Sequence, residues 1–403
     1  MAAAKGRADA PPRAHYPRTV IARGRPGAWP TMSAASRAVL REIVVHGALP
    51  RAELAARLGL SKPSLTRITR SLVDEDFLLE GGTELRSGLG RPSELLHLKA
   101  DSRRFVGFKL TGDHLYAVVS DLGATVVDTH DEPLVDRSVP SVLNQISQVV
   151  AAFEKEWGPL TALGVALAGT IQGAGRSRIV RESAFLGWAD VPLLRLLEDA
   201  TGLPCSVDND VQALTAAEHW FGAGAGLRTM AVITVGVGIG CGLVVNDELV
   251  EGAHGTPGNM SHIIVNPAGP YCDRGHRGCA SSYLTSSAIA GALPRDAGGE
   301  RTYEHALEQA RAGRPSALQA FADAGFALGC IIGTVANLID PAKVILSGDG
   351  LAVFEFADAD VWRGIRQTYH EDLDQVDVDV QPFDFGEWAR GGAVLAIRNA
   401  ISP

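Results

Sequence analysis

Residues 51–73, RAELAARLGLSKPSLTRITRSLV, decide how the N-terminal part of this chain folds. Arg51–Leu58 is amphipathic, with Leu54 and Leu58 on one face, and predicts a short helix. Gly59-Leu60 supplies a turn. Ser61 is a good N-cap, because its hydroxyl can accept from a backbone amide of the next turn, and Pro63 is tolerated in that turn. Leu65, Ile68 and Leu72 then recur at helical spacing and face inward. Ser61, Lys62, Pro63, Ser64, Thr66, Arg67 and Arg70 are left to contact a partner. An apolar spine for docking, backed by hydroxyl and guanidinium groups for base edges and phosphates, is what a helix in the DNA major groove requires. A preceding helix over residues 35–45 completes a three-helix core.

The next segment reads as a wing. Residues 77–80 and 94–98 are strand-like, and the Gly-rich loop 88–92 lies between them. Arg91, held between Gly90 and Pro92, is placed to enter a narrow minor groove, where the negative potential favours arginine. Charge agrees with this assignment. Up to residue 100 there are 16 Lys and Arg against 9 Asp and Glu; the rest of the chain has 21 against 37, and the whole carries −9. A basic head on an acidic body fits a DNA-binding domain joined to something that should not adhere to DNA.

The 403 residues predict two or three domains, and 46% hydrophobic content supplies a sizeable core. Five cysteines argue against a disulfide framework and for a reducing cytoplasm. No signal peptide is evident, and the apolar run between Asp323 and Asp340 reads as too short to span a bilayer. Residues 1–31, rich in Ala, Arg and Pro, are expected to form a disordered basic tail, with Met32 a candidate start. The head is expected over 32–100 and the body over 101–403.

The body changes to Gly-punctuated strands. Residues 105–110, 115–120 and 125–128 predict a three-stranded meander, followed by a helix over 141–157, a buried strand over 163–167, a helix over 191–201 and a strand over 205–208. The cycle then repeats with residues 229–235, a glycine loop, 242–245, 248–250 and a buried strand at 344–346. Two such rounds predict two similar α/β lobes around a cleft.

Four motifs in this body resemble those of the ROK family (repressors, open reading frames and sugar kinases), in which a winged helix-turn-helix precedes a two-lobed body with the actin and sugar-kinase, ribonuclease H-like fold. Asp208-Asn209-Asp210 resembles the triplet whose Asp is the family kinases' general base on a sugar hydroxyl and whose Asn binds a neighbouring hydroxyl. Gly258-Asn-Met-Ser-His262 resembles a sugar-binding segment, with Asn259 where the kinases have Glu; His262 matches a residue that is both zinc ligand and sugar contact. Cys272-Asp-Arg-Gly-His-Arg-Gly-Cys279 resembles the zinc motif, but Arg274 replaces the middle Cys and Ser281 replaces a sugar-binding Glu. The resemblance implies a sugar site of Gly169, Asn209, Asp210, Asn259, His262 and Ser281. It also implies metal ligands His262, Cys272 and Cys279, with His276, Asp273 or water as the fourth. Zinc and a pair of free thiols stand as alternatives.

The phosphate loops depart furthest from that pattern. Where the kinases have Asp-x-Gly-Gly-Thr, this chain has Lys109-Leu-Thr-Gly-Asp113, so the metal-assisting carboxylate becomes a cation and Asp113 faces phosphate with like charge. Gly236-Val-Gly-Ile-Gly240 keeps its glycines but has Val237 in place of a Thr, and Ser347-Gly-Asp-Gly350 resembles an altered adenosine loop. No ATP is expected and no catalytic residue is assigned. The resemblance implies a cytoplasmic regulator, a repressor by expectation, of carbohydrate genes. Its partners would be double-stranded operator DNA, a sugar or sugar derivative, and further copies of itself in a homodimer or homotetramer, with no membrane. A body that senses a protein partner, and a working sugar kinase with an accessory head, are the alternatives. The C-terminal helix, expected over residues 387–399, resembles a family helix that lies near the DNA-binding domain.

Overall fold

A computed structural model describes residues 28–84, 93–294 and 301–402. The head begins with α1 (Ala34–His46), β1 (Leu49–Pro50), α2 (Arg51–Leu58) and α3 (Lys62–Asp74) and ends with β2 (Leu78–Glu84) and β3 (Ser93–Leu98). Ser33 and Ser61 cap α1 and α3 through their hydroxyls, and Gly59 takes the left-handed conformation that ends α2. Leu65, Ile68 and Leu72 are buried against Leu54, Leu40 and Ile43, as their spacing requires. The strands form a three-stranded sheet in the order β1-β3-β2. This is a winged helix.

The chain then passes through a single 3-10 turn, Ala100–Ser102, into the body. Its first lobe holds β4 (Arg104–Leu110), β5 (His114–Asp121), β6 (Val126–Pro133), α4 (Val139–Trp157) and β7 (Ala162–Leu167). A small sheet follows, of β8 (Thr170–Gln172), β9 (Ile179–Ser183) and β10 (Trp188–Val191), then α5 (Leu193–Thr201), β11 (Cys205–Asn209) and α6 (Asp210–Phe221). The second lobe holds β12 (Met230–Val235), β13 (Ile239–Val245), β14 (Glu248–Leu249), α7 (Ser281–Leu284), α8 (Ser286–Ala292), α9 (Tyr303–Arg311) and α10 (Pro315–Ile339). It is completed by β15 (Val344–Ser347), α11 (Ala352–Thr368) and β16 (Val378–Val380), before α12 (Phe385–Ile401) returns to the first lobe.

The two main sheets share one topology. The orders are β11-β7-β4-β5-β6 and β14-β13-β12-β15-β16; in each, three consecutive strands are antiparallel and two later ones add in parallel. The expected duplication of a mixed sheet is thus present. β4, β7, β12 and β15 are buried nearly throughout, because helices or the head cover both sheet faces.

Three expectations need correction. Trp29, placed in the disordered tail, packs edge-on against Phe77 of the head and, at 6.2 Å, against Phe105 of β4; residues 1–27 lie outside the described residues. The helix expected from Val191 starts at Leu193, because Val191 pairs with Val180 across the small sheet and Pro192 occupies the cap. The apolar run thought too short for a bilayer belongs to a longer helix: α10 starts at Pro315, and its 25 residues are by length and composition enough to cross one. In this fold it is a core helix, with Phe321, Leu328, Ile331, Ile332 and Val335 buried in the second lobe.

α12 lies on the first-lobe sheet with its backbone almost in contact. A Cβ on Gly107 would strike the backbone of Ala389 and Ala393, and one on Gly164 would strike Gly392. Only glycine permits this approach, which seats α12 directly on that sheet. The hydrophobic core of the head continues without a break into α12, through Ala393, Ile397 and Ile401, and into α6, through Ala213, Ala217 and Trp220.

Candidate functional site

The exposed face of α3 is the first site. Ser61, Lys62, Pro63, Thr66, Arg67 and Arg70 are exposed; Ser64 is half-buried and spent on the cap, its amide donating to Ser61 Oγ and its hydroxyl accepting from it at 3.1 Å. Lys62, Arg67 and Arg70 have no ion-pair partner among the described residues. They are free to meet phosphate or a base edge. Arg51 is not, because it ties α3 to the wing. Its Nε donates to Thr69 Oγ1 at 3.2 Å, and its guanidinium pairs with Glu80 and Glu94. Arg91 lies outside the described residues.

The second site is the cleft between the lobes, a cavity of about 750 Å³. The carboxyl ends of the parallel strands supply its floor. Lys109 of β4 is in register with Ala166 of β7, and Ala166 with Asp208 of β11, so α6 starts beside Lys109. Asn209 caps α6, its Oδ1 accepting from Val211 and Gln212 and its Nδ2 donating to the carbonyl of Gly169 at 3.0 Å. Asp210 sits in the first turn, where the helix dipole favours a carboxylate. The glycine loop 236–240, Gly348, Asp349 and Asn259 complete the wall.

Lys109 and Asp210 form a buried ion pair, each less than a tenth exposed, and the ammonium also lies 4.8 Å from the centre of the Trp388 ring. The sequence could not show this pairing. The residue standing at the metal-assisting position neutralises the residue standing at the base position. Asp208, the third member of the triplet, is held by Arg178 at 2.5 Å; burial raises its carboxyl and Arg178 opposes the rise. Arg178 also reaches Glu251 at 3.1 Å, and Gln172 donates to the carbonyl of His254, so both side chains bridge the lobes. Asp349 lies against Gly236, and burial raises its carboxyl above the ordinary range.

Four of the six expected sugar residues, Gly169, Asn209, Asp210 and Asn259, line this cavity. His262 and Ser281 do not. They belong to a cluster with the cysteines, where Ser281 Oγ is 3.4 Å from Cys279 Sγ. His262 Nδ1 is 3.8 Å from Cys272 Sγ and 3.6 Å from Cys279 Sγ, and His276 packs edge-on at 4.8 Å. The ligand atoms of His262, Cys272, His276 and Cys279 all lie within 4.8 Å of one another. Tetrahedral zinc with ordinary Zn–N and Zn–S bonds separates such atoms by about 3.6 Å. The four side chains are a donor set of the kind that could hold a metal ion, with His276 the candidate for the place of the missing cysteine. Desolvation works against the Cys272 thiolate, but hydrogen bonds from the Arg274 backbone, Cys279 and the His276 backbone hold the thiol below its ordinary value. All five cysteines are free of disulfides.

The cleft is linked to the head by two helices. α6 starts at Asp210 and α12 begins with the cavity-lining Phe385 and Trp388. Their far ends meet under α1. The ring of Trp220 of α6 has the guanidinium groups of Arg398, at 4.7 Å, and of Arg41 of α1, at 5.9 Å, near its centre. Arg41 also donates to the carbonyl of Asp247 in the second lobe. Beside them burial, then Arg398, pushes His219 down to about 4, while burial followed by Arg41 lowers Arg398 to about 10. The resemblance implies a C-terminal helix near the DNA-binding domain, and α12 lies there; the part played by α6 was not read from the sequence, because no spacing brings Trp220 to Arg398 and Arg41.

A winged helix packed on a two-lobed, sugar-kinase-type body defines a DNA-binding regulator rather than a free-standing kinase fold. The ROK family profile matches residues 105–398, and the MarR family profile matches residues 32–79. The chain belongs to the ROK family. It is 26% identical to the DNA-binding transcriptional dual regulator NagC of Escherichia coli K12, over 78% of this chain and 80% of that protein. It is 25% identical to the xylose repressor of Bacillus subtilis 168, over 76% and 80%. A crystal structure of a ROK family transcriptional regulator, a homologue of the E. coli MLC protein, superposes with a TM-score of 0.77 at 23% identity, covering 91% of this chain and 96% of that one. A ROK family glucokinase from Streptomyces griseus, in complex with glucose and AMPPNP, gives 0.60 at 25% identity, over 73% and 99%. The chain is a transcriptional regulator with a ROK body.

Proposed function

We propose that this regulator binds a sugar or sugar derivative in its cleft, does not phosphorylate it, and converts binding into a change of operator affinity, acting as a repressor. The observation that carries the reading is the path of α6 and α12, which both begin in the cleft and end beneath the head. Because Arg41 of the head touches Trp220 of one lobe and Asp247 of the other, a change in the angle between the lobes moves its footing. A sugar that binds open and closed clefts with different affinity therefore shifts the head; equal affinity for both shifts nothing.

The sugar class is supported by the names of relatives, which include N-acetylglucosamine and xylose repressors. Asn209 has one amide N–H left beyond its cap, and Asn259 offers an exposed amide, so both can meet hydroxyls. Neutral Asn259 accepts more weakly than the carboxylate that the family kinases have there. Phosphoryl transfer is opposed at three points: Lys109 cannot ligate magnesium, Asp210 is already paired, and the Asp349 carboxylate lies over the glycine loop. Losing charge stabilisation of this kind typically costs several kcal/mol in the transition state. His262, Cys272, His276 and Cys279 would hold zinc, which would cross-link the loop that carries Asn259. A dimer would present two heads to a pseudo-palindromic operator.

The test is fluorescence anisotropy with DNA from upstream of the gene, titrated with sugars and sugar phosphates, with and without Mg-ATP. One sugar that weakens binding in the absence of ATP supports the reading. ATP-dependent formation of a sugar phosphate would overturn it, and no response to any sugar would favour a protein partner as the signal.

A further inference from the structure

The cleft is larger than a single sugar ring needs. At about 750 Å³ it lies in the range of pockets that hold drug-sized ligands, roughly 300–1,000 Å³. In a kinase of this architecture the remaining space serves a nucleotide, and here its lining rejects one. Asp113 and Asp349 put carboxylates on two of the loops that would face phosphate. Asp349 Oδ1 lies so close over Gly236 that a Cβ there would collide with it, so a carboxylate already holds the place of an approaching phosphate oxygen. Val237, 61% exposed, offers an isopropyl group in place of a hydroxyl. Lys109 is committed to Asp210.

That same half of the cleft is aromatic. Tyr116, next to the first loop, stacks on Phe385 with centroids 4.5 Å apart and planes 13° from parallel. Phe383 meets Phe385 edge-on at 4.7 Å and Trp388 at 6.1 Å. Phe185, 46% exposed, stands at the rim, with its backbone against Gly112 of the first loop. All five rings border the cavity, beside the polar half formed by Gly169, Asn209 and Asn259. Aromatic faces bind apolar ring faces, whether an aryl group or the C–H face of a pyranose.

We propose that the former nucleotide half of the cleft is a second ligand compartment for an apolar-faced ring, so that the effector is a glycoside carrying a second ring rather than a free monosaccharide. This rests on the sugar-sensing reading above and adds to it. The Lys109–Asp210 pair marks the junction between the two halves. Its near neutrality suits an uncharged linkage better than it suits a phosphate. Phe383, Phe385 and Trp388 belong to the segment that opens α12, so a ring seated among them touches one of the two helices that reach the head.

The experiment uses the full chain and follows tryptophan fluorescence, because a nitrophenyl group quenches an indole that it approaches. The probes are methyl glycosides, p-nitrophenyl glycosides and disaccharides of glucose, N-acetylglucosamine and xylose, with p-nitrophenol alone as a further probe. The expected result is that a p-nitrophenyl glycoside or a disaccharide binds at least tenfold tighter than the matching methyl glycoside. The nitrophenyl probe should quench a component that Trp388→Phe removes. Phe385→Ala should erase the tenfold gap, so that within the variant the nitrophenyl and methyl glycosides bind equally, and Phe385→Leu, which keeps bulk without the ring, should do the same if the alanine variant folds poorly. The arm that binds tighter, aryl or disaccharide, names the ring. Equal binding of methyl, nitrophenyl and disaccharide ligands overturns the compartment and leaves the sugar reading intact. Quenching of Trp388 by p-nitrophenol with no glycoside bound supports the compartment and overturns the sugar reading. The absence of both overturns the compartment.

Discussion

Replacing Lys109 by Met removes the cation from the centre of the cleft and leaves Asp210 buried and unpaired. Both side chains are less than a tenth exposed, so solvent cannot take over the role of the ammonium. Breaking a buried pair by removing one partner typically costs about 3–5 kcal/mol, whereas replacing both partners by neutral groups is often nearly neutral. Asp210 keeps one other partner, the amide of Val211, and an asparagine side chain in its place could accept from that amide as well. Lys109→Met should therefore destabilise by about 3 kcal/mol or more, and a loss of that size in a body of this length lowers the melting temperature by roughly 5 °C. The double variant Lys109→Met/Asp210→Asn should recover to within about 1 kcal/mol of the parent. Thermal melts followed by circular dichroism, completed as a double-mutant cycle, measure the coupling. If Lys109→Met alone costs little and the two substitutions simply add, the pair is not buried in the sense argued here. The argument that Lys109 opposes phosphoryl transfer by pairing with Asp210 then fails with it.

Further outcomes follow from other parts of the fold. Arg67→Ala and Arg70→Ala should weaken operator binding. If the arginine meets a phosphate, its removal lowers the slope of log affinity against log salt by about 1; if it meets a base edge, its removal costs about 1–3 kcal/mol and relaxes specificity at one position. Gly164→Ala should destabilise by about 1–3 kcal/mol, read from denaturant midpoints, because the new methyl meets the backbone of Gly392. Protein purified without chelator should carry one zinc per chain by elemental analysis, and His276→Ala should lose most of it. The junction under the head should weaken in acid. The folded chain keeps His219 neutral down to about 4, while the unfolded chain protonates it near 6.5, so its contribution is intact above pH 6.5 and is lost as pH falls toward 4. His219→Gln should flatten that part of the stability profile.

Much of this was legible in the sequence, for local reasons. The Ser61 cap, the turn at Gly59 and the Leu65, Ile68, Leu72 spine each act within a few residues, and the head folds as they dictate. The strands of the two main sheets, β16 excepted, were readable because each is a short apolar run bounded by glycine or polar residues. What escaped was non-local. Lys109 and Asp210 are 101 residues apart and meet only because β7 lies between β4 and β11. His276 joins the cysteine cluster through the fold of its loop, which spacing left open among His276, Asp273 and water. His262 and Ser281 belong to that cluster and are not among the residues that line the cavity. The small sheet of β8, β9 and β10 was missed because its strands are only three to five residues long. Trp29 was assigned to the tail by composition, and its packing partner Phe105 belongs to the other domain.

The central claim is that the cleft and the DNA-reading face share one equilibrium through α6 and α12. Coupling of that kind is reciprocal: if a sugar weakens operator binding by some factor, the operator must weaken sugar binding by the same factor. The most direct measurement is calorimetric titration of that sugar into the full chain, alone and saturated with operator, in the parent and in Trp220→Leu. The account predicts equal factors from the two directions in the parent and a factor near one in Trp220→Leu, with sugar affinity in the absence of DNA unchanged. A sugar affinity that is indifferent to operator in the parent, or full coupling that survives in Trp220→Leu, would contradict it.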